Sequence, residues 1–143
     1  MIFTEVLRPP IWVLAFIYFM FLSLVIAIWA ALDTTVTMVA LAIATLAIPF
    51  IARSLTSRIR VDQNELRIDK AHIALKYLGK VTVLDSDAMR LLRTRDADPA
   101  AFLAIKFWAA TGIKIEVTDP RDATPYWLIT SKRGEKLAAL LTK

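Results

Sequence analysis

The chain has 143 residues, of which 57% are hydrophobic, and carries 18 basic and 13 acidic side chains for a net charge of +5. It has no cysteine, which excludes disulfides and thiolate metal sites and fits a reducing compartment. The length allows one small soluble domain beside any membrane segment.

The apolar content is concentrated near the amino end. Ile11 to Leu32 contains no charged side chain, and Asp33 is the only charge between Arg8 and Arg53. Uninterrupted apolar runs of this length predict membrane-spanning helices at about 11–32 and 35–52. Asp33 and Thr34 are turn and cap residues, so the second helix returns directly beside the first. The hairpin, with its flanks, is assigned residues 1–53 and a soluble β-rich domain residues 54–143. A cleaved signal peptide fits less well, because the apolar run is longer than the usual 7–15-residue core and no basic cluster precedes it. Ser23, Ala27 and Ala31, four apart on the first helix, and Ala40 and Ala44 on the second offer small-residue spacing for close helix approach. Pro49 is expected to bend the exit of the second helix. Arg8, Arg53, Arg58 and Arg60 flank the pair, whereas the turn holds Asp33 and no base. The positive-inside rule then places both termini in the cytoplasm and the turn outside, in a multi-pass protein of the inner (plasma) membrane.

Arg8 and Arg53 balance Glu5 and Asp33, so the net charge resides in residues 54–143, which hold the other 16 bases and 11 acids. In that stretch, SRIRVD (57–62) and ELRID (65–69) alternate apolar residues with charges around Asp62-Gln63-Asn64, a hairpin signal. HIALKYL (72–78) and KVTVL (80–84) read as two strands, or as one strand bulged at Gly79. Asp85 and Ser86 can cap a short helix, DAMRLLRTR, with Met89 and Leu92, and with Leu91 as a third candidate, turned inward. AAFLAIKFW (100–108) reads as a helical turn or as a buried strand. GIKIEVTD (112–119) alternates cleanly, PRDATP is a loop, YWLITS (126–131) is a strand, and Gly134 to Leu141 is a closing helix with Leu137, Leu140 and Leu141 on one face. The expected fold is an α+β membrane protein, a helical hairpin followed by a small antiparallel β-rich domain closed by a helix. Its order of elements resembles that of pleckstrin-homology-like domains, including bacterial ones that follow paired membrane helices; one sheet packed on one helix is the fallback.

The densest candidate site is Asp119 to Arg133, DPRDATPYWLITSKR. Two readings of it stand. In the first, Asp119 and Asp122 present carboxylates to a ligand or cation, Tyr126 and Trp127 form an aromatic platform, and Lys132 and Arg133 grip an anion. In the second, the aspartates cap turns, the prolines stiffen the loop, and one aromatic fills the core while its neighbour faces out. The run resembles the DP-x-DPTPYW-x-x-STR pattern of a family of small actinobacterial two-helix membrane proteins, domain of unknown function 3093. It matches at Asp119, Pro120, Asp122, Thr124, Pro125, Tyr126, Trp127, Ser131 and Arg133, while Ala123 and Lys132 depart from it. Glu5, Pro9 and Trp12 fit the family's usual start. The resemblance implies the two-helix architecture and brings no activity.

His72 is a lone histidine, no HExxH or GxSxG context exists, and three glycines form no phosphate loop. No cofactor and no metal is expected, and no enzyme. The chain reads as a membrane-anchored binding or assembly module. Its partners are the lipid bilayer with its anionic headgroups, and a protein partner or a second copy; no nucleic acid is expected, since net charge alone supports it. The rival reading is a membrane-bound enzyme at the leaflet surface using Asp119, Asp122 and Arg133 with a metal.

Overall fold

The computed structural model describes residues 2–142. It divides into two compact units, Leu7–Ser57 and the remainder of the chain.

The first unit is a helical hairpin of α1 (Ile11–Ala31) and α2 (Thr34–Leu55), 21 and 22 residues long, each long and apolar enough to cross a membrane. Asp33 caps α2 by accepting the Val36 N–H at 2.8 Å, which satisfies one of the orphan donors of the first turn. α2 runs through Pro49 and past the expected end at residue 52, to Leu55, with Arg53 in its last turn. Across the helix pair, the Tyr18 hydroxyl and Thr45 Oγ1 lie 3.0 Å apart. A small apolar crevice of about 270 Å³ is lined by Phe21, Val25 and Ile28 from α1 and by Ala40, Ala44 and Ala47 from α2. The alanines of α2 thus meet α1, as their spacing predicts. Ser23, Ala27 and Ala31 do not lie in the seam: they are exposed. Large α1 residues pack into the shallow face that the α2 alanines leave, so one small-residue stripe suffices.

The second unit holds two four-stranded sheets. In the first, β1 (Phe3–Leu7), β2 (Ser57–Val61), β3 (Glu65–Ile68) and β4 (Ala71–Ala74) lie side by side in that order. β2 and β3 form the hairpin expected around Asp62-Gln63-Asn64, with Ile59 opposite Ile68 and Val61 opposite Leu66. The tight turn before β4 places Asp69 at φ 52°, a left-handed conformation that a short polar side chain tolerates. Alternation sends Ile59, Val61, Leu66 and Ile68 to the buried face.

A 3₁₀ turn at Leu75–Tyr77 then carries the chain to the other sheet. HIALKYL is therefore split: its first residues pair with β3, and Leu78 opens β5 (Leu78–Leu84). β5 pairs with β7 (Gly112–Val117), with a register shift between Leu78 and Val81, the bulge expected at Gly79. The order is β5-β7-β8-β6, where β6 is Phe102–Ala104 and β8 is Tyr126–Thr130. β6 runs parallel to β8, so this sheet is mixed rather than wholly antiparallel. The reason is connectivity: α3 (Ser86–Arg93) and the chain after it cross over between β5 and β6. Asp85 caps α3 through the Ala88 N–H at 2.8 Å, and Met89 is fully buried while Leu91 faces out. β8, flanked by β7 and β6, is buried along its whole length. α4 (Gly134–Leu141) closes the unit over β5 and β7, burying Leu137 and Ala138.

Candidate functional site

The loop between β7 and β8 is held by its own aspartates. Asp119 Oδ1 accepts the Arg121 N–H at 3.0 Å, and its carbonyl accepts the Asp122 N–H at 3.1 Å. Asp122 Oδ1 accepts the Thr124 N–H at 2.9 Å, a bond to the charged form that draws the Asp122 carboxyl below its ordinary range. Arg121 Nη2 donates to the Tyr77 hydroxyl at 3.0 Å, which ties the loop to the 3₁₀ turn. Proline-flanked sequence with aspartate at these positions folds this way because a short carboxylate reaches the N–H two residues on. Each of the two carboxylates therefore has one oxygen engaged by its own loop.

Tyr126 and Trp127 point to opposite faces of β8, and both are buried, at 7% and 6% exposure. Tyr126 packs with Leu84, Met89 and Leu128. The Lys114 ammonium stands 4.5 Å from its ring centre, and its hydroxyl is buried without a hydrogen-bond partner. Trp127 meets Phe102 of β6 with ring centres 4.5 Å apart. The pair forms no continuous platform, since the sheet lies between the two rings. The expectation that one aromatic faces out does not hold, because β8 is a central strand covered on both sides.

The end of β8 meets β1. The Ser131 hydroxyl donates to Glu5 Oε2 at 2.5 Å, and the Lys132 N–H donates to Glu5 Oε1 at 2.9 Å. Ser131 Oγ also accepts the Arg133 N–H at 3.1 Å. Glu5 and Ser131 are both buried. Arg133 is exposed, yet its guanidinium donates to the Thr4 carbonyl at 2.6 Å and stands 4.8 Å from the Phe3 ring centre. Lys132 extends into solvent. Lys132, Arg133 and Lys136 line a crevice of about 510 Å³ together with Asp85, Thr111 and Glu135.

The structure thus brings Lys132 and Arg133 together with Glu5. Asp119 and Asp122 remain with their own loop, at the other end of β8. Glu5 lies outside the Asp119–Arg133 segment that the sequence singles out. Its signal in the sequence is a carboxylate on the same alternate face of FTEVL as Phe3 and Leu7, a costly position without a partner. Among the described residues no group of three or more His, Cys, Asp or Glu is arranged to hold a metal ion.

The sequence model of a family described as "Protein of unknown function (DUF3093)" matches residues 2–141. No curated protein and no solved structure matches the chain.

Proposed function

The chain belongs to the DUF3093 family, and we propose that it is a membrane-anchored binding or assembly module rather than an enzyme. The observation that carries this reading is the surface of the hairpin. Phe16, Phe19, Leu46 and Phe50 are 60–76% exposed, and Trp12, Ile26, Trp29 and Ile43 are similarly open, so apolar side chains ring both helices. A contiguous apolar surface of that extent is stable in lipid, where a helix satisfies its own backbone, and unstable in water. Trp12 and Trp29, near opposite ends of α1, suit the two interfaces. The basic flanks and the base-free turn orient the pair with both termini in the cytoplasm.

The domain then works at the inner leaflet as a binding surface, for a protein partner, a second copy, or anionic headgroups. Its strands closed by a terminal helix keep the likeness of element order to pleckstrin-homology-like domains within this reading. Against catalysis, the polar groups best placed for it are already occupied. Asp119 and Asp122 hold turns, and Ser131 is spent on Glu5.

Labelling the full chain with an impermeant thiol reagent tests the anchor and its orientation. The natural sequence has no cysteine, so Thr35→Cys in the first turn of α2, beside the Asp33 cap, and Asp96→Cys in the domain each give one site. In intact cells Thr35→Cys reacts and Asp96→Cys reacts only after lysis, and both variants stay in the pellet through an alkaline wash. The opposite labelling pattern, or release by the wash, refutes the proposal.

A further inference from the structure

The outward face of the first sheet carries bases in register. Arg58 and Arg60 alternate along β2 with buried Ser57, Ile59 and Val61, Arg67 lies between buried Leu66 and Ile68 on β3, and His72 precedes buried Ile73 on β4. Pairing sets Arg60 directly opposite Arg67, and Arg67 directly opposite His72. Arg60, Arg67 and His72 therefore form one row across three strands, with Arg58 two residues from Arg60 on the same face.

Like charges placed directly opposite on a sheet face oppose folding. One acid on that face answers them: Glu65 Oε1 accepts from Arg67 Nη2 at 2.7 Å. Asp69 lies at the sheet end, where its carboxylate accepts the Arg58 backbone N–H. Among the described residues, Arg58 and Arg60 form no ion pair, and Arg60 Nε is buried without a hydrogen-bond partner. Arg58 is exposed and Arg60 half-buried; the buried Nε is closed to an outside anion, but a guanidinium that forms no ion pair keeps its terminal N–H fork for phosphate oxygens.

We infer that this row docks on the anionic headgroups of the leaflet that holds the hairpin, an inference that rests on the anchored reading above. Chain length commits the face to that occupant. Only Thr56 and Ser57 separate Leu55, the end of α2, from Arg58. At about 3.3 Å per extended residue, Arg58 is tied within about 10 Å of the helix end. Arg8, Pro9 and Pro10 alone separate β1, the neighbour of β2, from α1. The leaflet is thus present at high effective concentration, whereas a free phosphate or an acidic protein has no such tether.

The test uses the full chain with Ala74→Cys, on β4 opposite Glu65, carrying a fluorophore. It is placed in discs of neutral phosphatidylcholine or of phosphatidylcholine mixed with phosphatidylglycerol. Trace lipid with a headgroup nitroxide reports close approach by quenching. Quenching is expected in the anionic discs, small in the neutral ones, and lost near 1 M salt, where the Debye length is about 3 Å. Each of Arg58→Gln, Arg60→Gln and Arg67→Gln lowers the docked-to-free ratio about fivefold, and the triple variant abolishes docking. The matching triple lysine variant restores most of it, which separates lost charge from lost fold. The salt response of the natural sequence stands whether or not the glutamine variants fold. Equal quenching in neutral discs, or quenching that survives salt or the triple glutamine change, overturns the inference. So does capture of polyglutamate by neutral discs without any response to anionic lipid, which would assign the face to an acidic protein. Elution of the chain apart from the discs overturns the anchored reading as well; elution with the discs but without lipid-dependent quenching overturns this inference alone.

Discussion

The Glu5 carboxylate and the Ser131 hydroxyl, 126 residues apart in the chain, meet at 2.5 Å in a buried junction. The bond joins the first strand of one sheet to the end of the central strand of the other. Both Glu5 oxygens are used, the second by the Lys132 N–H, so a carboxylate that would be costly to bury has a partner for each oxygen. Glu5→Ala leaves the Ser131 hydroxyl and the Lys132 N–H without an acceptor. Denaturation of the full chain in mild detergent should show a loss of about 1–3 kcal/mol. Glu5→Gln, which keeps an acceptor, should cost less. Glu5→Ala combined with Ser131→Ala should be non-additive, because the two share one bond. Strict additivity would show that the junction contributes nothing as a pair.

Gly112 and Gly134 divide sharply in what they tolerate. A Cβ on Gly112 would fall on the Ile129 carbonyl oxygen and press on Met89 Cε at 3.0 Å. Backbone cannot move aside in a strand flanked on both sides, so Gly112→Ala should be among the most damaging single changes in the domain, at several kcal/mol. On Gly134 the nearest atoms, Gly112 O and Ile113 Cγ2, lie at 3.3 Å. Gly134→Ala at the start of α4 should stay within about 1 kcal/mol of the natural chain, helped by alanine's better helix propensity. Thermal unfolding of the two variants side by side checks the contrast.

Much of this architecture was legible from local chemistry. Charge-free runs mark α1 and α2, Asp85 marks the start of α3, and GIKIEV marks β7, because each signal is complete within a few residues. What escaped depends on partners distant in sequence. FTEVL is a strand only because β2 lies beside it, and its five residues sit next to an apolar run that dominates any window. HIALKYL reads as one strand until Leu75–Tyr77 turns it from one sheet into the other. β6 is three residues long, with no period to detect, and takes its parallel direction from β8. In the candidate site the aspartate–proline turns were readable, but Glu5 became visible only once Ser131 was placed beside it. The alternating bases of SRIRVD and ELRID were equally plain, whereas the register that sets Arg60 against Arg67 was not.

Asp122 provides a pH signature for the β7–β8 loop. The Thr124 N–H draws its folded-state pKa below the ordinary carboxylate value. A depressed folded value means that the unfolded chain binds the proton more readily. The stabilisation is complete above the unfolded value near 4 and fades as pH falls through the lower folded value. Asp122→Asn keeps an oxygen for the Thr124 N–H and removes the titration. Between about pH 5 and pH 2 the natural chain should lose stability faster than Asp122→Asn. Parallel acid unfolding curves for the two proteins would contradict the assignment.

Trp127 and Arg133 separate core from clamp within the same segment. Trp127 is 6% exposed and packs on Phe102 across the β6–β8 pair, so Trp127→Ala removes a large buried ring and should cost about 3–5 kcal/mol. Arg133 is exposed, and Arg133→Ala removes its bond to the Thr4 carbonyl and its stacking on Phe3. A bond from a charged donor and an exposed cation–π contact together place the expected loss at about 1–3 kcal/mol. The two losses should also differ in where they are felt. Amide exchange should quicken throughout the second sheet for Trp127→Ala, and chiefly in Phe3–Leu7 for Arg133→Ala, since a local clamp opens locally. Arg133→Lys should recover little, because an ammonium lacks the planar face and the fork that the Thr4 and Phe3 contacts use. If Arg133→Ala leaves exchange in β1 unchanged, the guanidinium does not hold the strand and is free for a partner, as the anion-gripping reading of Lys132 and Arg133 requires. If Trp127→Ala leaves the second sheet intact, the indole is not the core residue its burial indicates.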